Sequence, residues 1–262
     1  MRKVIRFLLG VIACAAIVYG CASLAGYIRE SSKSVSLKES LINSAVEVKK
    51  NATSAAAEDK DDKEKDSEKK KSGETAPIEV DFKVLSKTND DVIGWLYSED
   101  TPINLPVVQS DDNSYYLRRM IDGSGNSSGT LFADCRNSSD FSDNNTIIYG
   151  HNMKNGEMFG SLSEYKKQSY YDEHPVMWLL TPDGDYKIEV VAGYVTTVGT
   201  EIYTFDQTDD TVLDIVNRAV EQSTFKTDLT LKKGDRYITL STCSYEYDDA
   251  RYVLIGRLNE LK

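Results

Sequence analysis

Tyr237-Ile238-Thr239-Leu240-Ser241-Thr242-Cys243, then seven polar or small residues, then Arg251-Tyr252-Val253-Leu254-Ile255-Gly256-Arg257-Leu258 reads as a β-hairpin. Two runs rich in β-branched and aromatic residues flank a short polar loop. In an antiparallel pair the two loop ends are neighbours, so Arg251 falls beside the Cys243 thiol. A thiol is a strong nucleophile only as thiolate, which a nearby cation or base favours. Upstream, Tyr149-Gly150-His151-Asn152 supplies an imidazole. It follows a strand and a glycine, hence stands on a loop, where catalytic groups are commonly carried by a rigid scaffold.

The remaining elements point the same way. Asp81 to Lys87 reads as a short helix, and Val92 to Tyr97 as a strand. An extended segment broken by Pro102 and Pro106 ends in Val107-Val108. Short helices are expected at Asn113 to Met120 and Gly156 to Tyr165, and strands at Gly129 to Ala133 and Thr146 to Tyr149. Strands at Val176 to Thr181 and Tyr186 to Thr196 flank the Pro182-Asp183-Gly184-Asp185 turn. Over Thr211 to Phe225, Val212, Ile215, Val216, Ala219 and Val220 fall on one helical face. The pattern is mainly β, a barrel or curled sheet decorated by a few helices.

The N-terminal third is different. Met1-Arg2-Lys3 and Arg6 precede an uncharged run from Phe7 to Ile28, about the length that crosses a bilayer. The flanking cations set the N-terminus in the cytoplasm and the rest of the chain outside. A cleaved signal peptide is an alternative, as is lipidation of Cys21 after Val18-Tyr19-Gly20, which like the uncleaved span leaves the domain tethered outside. Cys14 is a small apolar residue of that helix. Residues 29–77 turn to Lys, Glu, Asp, Ser and Ala and read as a solvated, largely disordered stalk, with a weakly amphipathic helix around Leu37, Leu41, Val46 and Val48. Residues 78–262 make one domain with a core of its own.

That domain carries 17 Lys and Arg against 31 Asp and Glu, a net charge of −14. Nucleic-acid binding depends on cations that neutralise phosphates, so that class of partner is set aside. Cys135 and Cys243 alone lie beyond the apolar run; they make no disulfide framework, although a bridge between them stays open. With only His151 and His174 besides, no metal-ligand spacing is present and no metal or other cofactor is expected. Cys135, between Asp134 and Arg136, reads as a buried small residue, and His174 before Pro175 as structural.

Over nearly the whole domain, from Asn89-Asp90-Asp91-Val92-Ile93-Gly94-Trp95 to Gly256-Arg257, the chain resembles the sortases, membrane-anchored cysteine transpeptidases of Gram-positive bacteria. Thr239-Leu240-Ser241-Thr242-Cys243, Tyr149-Gly150-His151-Asn152-Met153 and Arg251 carry the resemblance. Met158-Phe159, Asn113-Ser114-Tyr115-Tyr116-Leu117 and the helix before the last strands are similar to class B. The resemblance implies a closed or curled β-barrel of about eight strands, with N-terminal helices and a helix before the last two strands. It implies Cys243 as nucleophile, His151 as general acid and base, and Arg251 as the donor to substrate or oxyanion. It also implies a substrate groove lined by Asn113, Leu117, Tyr203 and Ser241.

The implied reaction cleaves a sorting motif of Leu-Pro-x-Thr-Gly type after threonine, through a Cys243 thioester, and passes the secreted protein to an amine of peptidoglycan or its lipid-linked precursor. Two other classes fit parts of the sequence. A cell-wall cysteine peptidase would use water as acceptor, and a tethered, tyrosine-rich binding module would leave Cys243 inert.

Overall fold

A computed structural model describes residues 2–49 and 75–261. The first helix, α1 (Arg2–Ala45), continues without a break past the apolar run. Its side chains from Leu9 to Ile28 point outward all round. Its last turns bury Leu41 and Ala45 against Ile78, Leu85 and Trp95 of the domain. Residues 29–48 are therefore packed on the domain: the helix expected around Leu37 and Leu41 is present, Val46 and Val48 fall in a strand instead, and residues 50–74 of the expected stalk lie outside the described residues. Few as they are, the apolar residues Leu37, Leu41 and Ala45 share the helix face that meets the barrel.

β1 (Val46–Val48) follows at once and pairs antiparallel with β2 (Ile78–Val80), Val48 opposite Ile78. Lys49 N donates to the Pro77 carbonyl at 2.9 Å. The two ends of the intervening segment are thereby held together, so its length does not set the distance from helix to barrel. The charged run from Glu58 to Lys71 lies outside the described residues.

After α2 (Phe82–Ser86), capped by the Asp81 carboxylate, come β3 (Val92–Tyr97), β4 (Asn104–Val108), β5 (Leu131–Ala133) and β6 (Asn145–Tyr149). α3 (Gln168–Glu173) precedes β7 (Val176–Leu180) and β8 (Asp185–Thr197). α4 (Asp209–Gln222) leads to β9 (Arg236–Cys243) and β10 (Ala250–Glu260). The eight strands from β3 onward close into a barrel in the order β10-β8-β7-β3-β4-β5-β6-β9, as the resemblance implied. Leu96, Val107, Leu131, Ile148, Leu179, Leu240 and Leu254 fill its interior. On the outside, Val212, Ile215, Val216 and Ala219 of α4 cover Val191, Val253 and Ile255.

Two expected helices are shorter than the sequence suggested. Asn113 to Met120 holds a single 3-10 turn, Tyr115–Arg118, started by the Asp112 carboxylate, which accepts from the Ser114 and Tyr115 N–H groups. Gly156 to Tyr165 is interrupted by positive φ at Gly156 (82°) and Met158 (52°), and only the 3-10 turn Gly160–Lys166 follows.

Two strand pairs in the barrel are parallel, β4 with β5 and β6 with β9. Parallel pairing puts the C-terminal ends of β6 and β9 on the same rim, and this creates the site.

Candidate active site

Tyr149 on β6 stands opposite Ser241 on β9. Two residues farther along each strand, His151 and Cys243 emerge at the same level. Neighbouring strands are about 4.8 Å apart, so the imidazole and thiol share one end of the barrel. The two strand ends are stitched together here. Gly150 N donates to the Ser241 carbonyl at 3.2 Å, and Thr242 Oγ1 donates to the Gly150 carbonyl at 2.7 Å. Asn152 Nδ2 reaches across to the Cys243 carbonyl at 2.8 Å. From the other side, β10 pairs Arg251 directly with Cys243. The hairpin expectation is met: thiol, imidazole and guanidinium line one open groove of about 390 Å³.

Arg251 donates Nη1 to the Ala250 carbonyl at 2.9 Å. Among the described residues it forms no ion pair with Asp248 or Asp249, which leaves the rest of the guanidinium free to meet an oxygen. The His151 Nε2 lies 2.7 Å from the Leu117 carbonyl, a bond that requires the proton on that nitrogen. It ties the imidazole to the segment carrying Asn113 and Leu117. The loop after Cys243 is braced by Lys166 Nζ, 2.5 Å from Glu246 Oε1, and by the Ser244 hydroxyl on the same carboxylate. Lys166 foremost, then Ser244, hold the Glu246 carboxyl down to about 2.

All four residues expected along the groove line it: Asn113, Leu117, Tyr203 and Ser241. Leu117 is 39 % exposed and so is not core. Ser241 is buried at the floor, its Oγ 2.8 Å from the Tyr203 hydroxyl. Burial pushes the Tyr203 phenol up, while the Ser241 hydrogen bond and Arg251 draw it back.

Sequence reasoning missed the group that organises the far wall. Asp134, 0 % exposed, accepts from Asn113 Nδ2 (2.9 Å), the Tyr149 hydroxyl (2.9 Å), Arg136 Nε and Nη2 (2.8 Å each) and the Arg136 N–H (3.0 Å). Asn113, Tyr149 and Arg136 all line the groove. Burial pushes the Asp134 carboxyl up, but the hydrogen bonds from Arg136 and Tyr149 outweigh it and hold the group below its ordinary range. The Arg136 guanidinium also lies 3.9 Å over the Phe205 ring. A lone Asp in a polar loop gives no sequence signal for this role, since besides its neighbour Arg136 its partners, Asn113 and Tyr149, come from two other segments.

Cys135 is half-buried, a correction to the expected buried position. Its N–H is bound by Asn113 Oδ1 at 2.8 Å, and it opens onto a surface recess with Gln109, Asp112 and Tyr115 rather than onto the groove. All four cysteines are free thiols, so the bridge left open by the sequence does not form here. His174 packs against Tyr170, ring centroids 4.5 Å apart, away from the site.

Comparison with known proteins agrees with this geometry. A family model described as Sortase domain matches residues 96–259. Sortase B of Listeria monocytogenes serovar 1/2a (strain EGD-e) is 38% identical over 187 residues, which cover 69% of this chain and 75% of that protein. Sortase B of Staphylococcus aureus (strain NCTC 8325) is 30% identical over 184 residues, with the same shares. A solved Staphylococcus aureus sortase B–substrate complex superposes with a TM-score of 0.65 at 30% identity, covering 69% of this chain and 85% of that one. A Bacillus anthracis protein described as similar to sortase B gives 0.64 at 36%, covering 69% and 83%. The barrel, the groove at its parallel-strand rim and these likenesses place the chain in the sortase family of cysteine transpeptidases, among the class B members.

Proposed function

We propose that this sortase uses Cys243, His151 and Arg251 to cleave a sorting motif of secreted proteins after threonine and to transfer the acyl group to a cell-wall amine. The Cys243 sulfur attacks the threonine carbonyl, a C–S bond forms and the peptide C–N bond breaks, with His151 giving its proton to the departing amine. Arg251, directly across the strand pair, donates to the oxygen on which charge develops. An amine of peptidoglycan or its lipid-linked precursor then attacks the thioester and gives a proton to His151. The new amide forms as the thiolate leaves. The observation that carries this reading is the register: Arg251 opposite Cys243, and His151 beside it through the Tyr149–Ser241 pair.

Asn113, Leu117, Tyr203 and Ser241 are assigned to the sorting peptide, whose motif is a variant of Leu-Pro-x-Thr-Gly. α1 is long and apolar enough to cross a membrane. With Arg2, Lys3 and Arg6 before the apolar run, we assign the N-terminus to the cytoplasm and the barrel to the outer face.

Intact mass of the full chain in detergent, after incubation with a library of sorting-motif peptides, tests the chemistry. An acyl adduct on the wild type that Cys243→Ala abolishes is expected. Equal cleavage by both proteins would refute it. Added amine should divert the thioester from hydrolysis to transfer product, which separates transpeptidase from peptidase.

A further inference from the structure

The uncharged run of α1 ends at Ile28, and the barrel is met almost at once. Two residues on, the Glu30 carbonyl accepts from Asn126 Nδ2 at 2.9 Å, and its carboxylate accepts from Ser127 Oγ at 2.6 Å. Asn126 is 3 % exposed, and its N–H donates to the Arg118 carbonyl at 3.0 Å. Leu117, next in the chain, gives its carbonyl to His151. A continuous set of contacts thus runs from the end of the apolar helix to the edge of the groove.

Distances along the helix decide what this implies. At about 1.5 Å per residue, Glu30 lies about 3 Å beyond the end of the apolar run. The polar layer on each side of the hydrocarbon core is about 5–8 Å deep. On the reading that residues 7–28 span a membrane, Glu30 and the loop bound to it therefore sit at headgroup level. The chemistry of that edge suits the place. Arg29, Lys33, Arg118 and Arg119 are exposed, and Tyr115, 39 % exposed, lies under the Arg119 guanidinium at 4.4 Å. Asp122 in the same loop is taken up by the Ser124 N–H and hydroxyl. Basic side chains and tyrosine are the residues favoured at an anionic bilayer surface. With the Glu30 and Asp122 carboxylates counted, residues 29–33 and 115–128 net +2, with Asp111 and Asp112 just outside them, in a domain of net charge −14.

We propose that the segment from Tyr115 to Ser128 is a lipid-facing surface that rests on the phospholipid headgroups, so that the Leu117 edge of the groove opens at the membrane. The occupant is the lipid surface itself. A substrate held by its own apolar tail would present its motif at this height. The barrel is thus mounted on the bilayer by a continuous helix, without a flexible stalk between them.

Quenching by headgroup-labelled lipid tests it. The full chain, with its four native cysteines replaced, carries a fluorophore at Gly125→Cys or at Lys83→Cys and is reconstituted in phosphatidylcholine–phosphatidylglycerol vesicles containing a nitroxide headgroup lipid. A Cβ at Gly125 meets nothing within 4 Å. Lys83 is exposed on α2, beside Asp81, whose N–H donates to Ala45 at the far end of α1. Ala45 is fifteen residues beyond Glu30, about 22 Å along the helix. Quenching at position 125 should exceed that at 83 by at least about threefold. Equal quenching, or stronger quenching at 83, in protein that floats with the vesicles would overturn the surface alone. Protein that does not float would overturn the anchor and the surface with it.

Discussion

Gly150 sits where any side chain would disturb both core and catalysis, and Gly150→Ala turns this into a measurement. A Cβ there would stand 2.5 Å from Leu131 Cδ2, 2.7 Å from Phe159 Cδ2 and 2.8 Å from Phe159 Cγ. Leu131 and Phe159 are both 0 % exposed, so neither can swing into solvent. Reaching an ordinary 3.4 Å contact from 2.5 Å requires 0.9 Å of movement. Overpacking of this kind costs about 1–3 kcal/mol, which for a domain of this size lowers Tm by about 2–12 °C. The backbone at Gly150 is fixed to β9 through Ser241 and Thr242, so the shift falls largely on His151. A displacement near 1 Å at a catalytic group can cost about 100-fold. We expect kcat/KM for a sorting peptide to fall between about tenfold and 100-fold, by fluorogenic cleavage, alongside the loss in Tm. Adding Leu131→Val, which removes the nearest atom, should recover part of both. Wild-type kcat/KM with an unchanged Tm would refute the close packing behind His151 and its role in the reaction.

Asp134→Asn should raise KM with kcat nearly held, because Asn113, Tyr149 and Arg136 line the groove while the thiol does not depend on them. Its cost in stability should be about 1–3 kcal/mol, discounted from the value for a fully buried pair because the Arg136 side chain is 57% exposed. The native carboxyl is held below its ordinary value. Its stabilisation is therefore present above about pH 4 and lost as pH falls through the folded value. The gap in urea midpoint between wild type and variant should close below pH 4, and a constant gap would count against the assignment. Burial foremost pushes Tyr116 and Tyr237 up to about 12. A raised folded value gives stability that is complete below about pH 10 and lost as pH rises toward 12, so a urea midpoint flat from pH 9 to 12 would contradict this. Seven alanines inserted between Ile28 and Arg29 keep the helix phase nearly unchanged and lift the barrel by about 10 Å. Transfer of a membrane-tethered substrate should drop at least about tenfold and cleavage of a soluble peptide should not change. Removal of residues 51–73 should alter neither, and loss of tethered transfer in that deletion would show that the segment matters after all.

Much of the molecule is legible in one dimension. The run Tyr237 to Cys243, the polar loop and the run from Arg251 carry their own strand and turn preferences, so the pairing of Arg251 with Cys243 follows from local rules. The face formed by Val212, Ile215, Val216 and Ala219 likewise marks α4, and the uncharged run from Phe7 to Ile28 marks a candidate span. Such features depend on residues close in sequence, where periodicity and charge are readable. Short elements are less legible: the turns at Tyr115–Arg118 and Gly160–Lys166 owe their form to the Asp112 carboxylate and to positive φ near Gly156.

What the tertiary structure alone decided involves partners far apart in the chain. His151 and Cys243 line one groove because β6 and β9 pair in parallel, a placement across ninety-two residues that no local pattern encodes and that sequence supplied only through the family resemblance. Asp134 and its neighbour Arg136 gather Asn113 and Tyr149 from two other segments. The polar composition after Ile28 suggested a free stalk. A few apolar residues on one helix face, the β1–β2 pair and the two hydrogen bonds at Glu30 instead dock that stretch on the barrel. Composition reports whether a segment can bury a core of its own, and a segment that packs on a core already formed needs only one matching face.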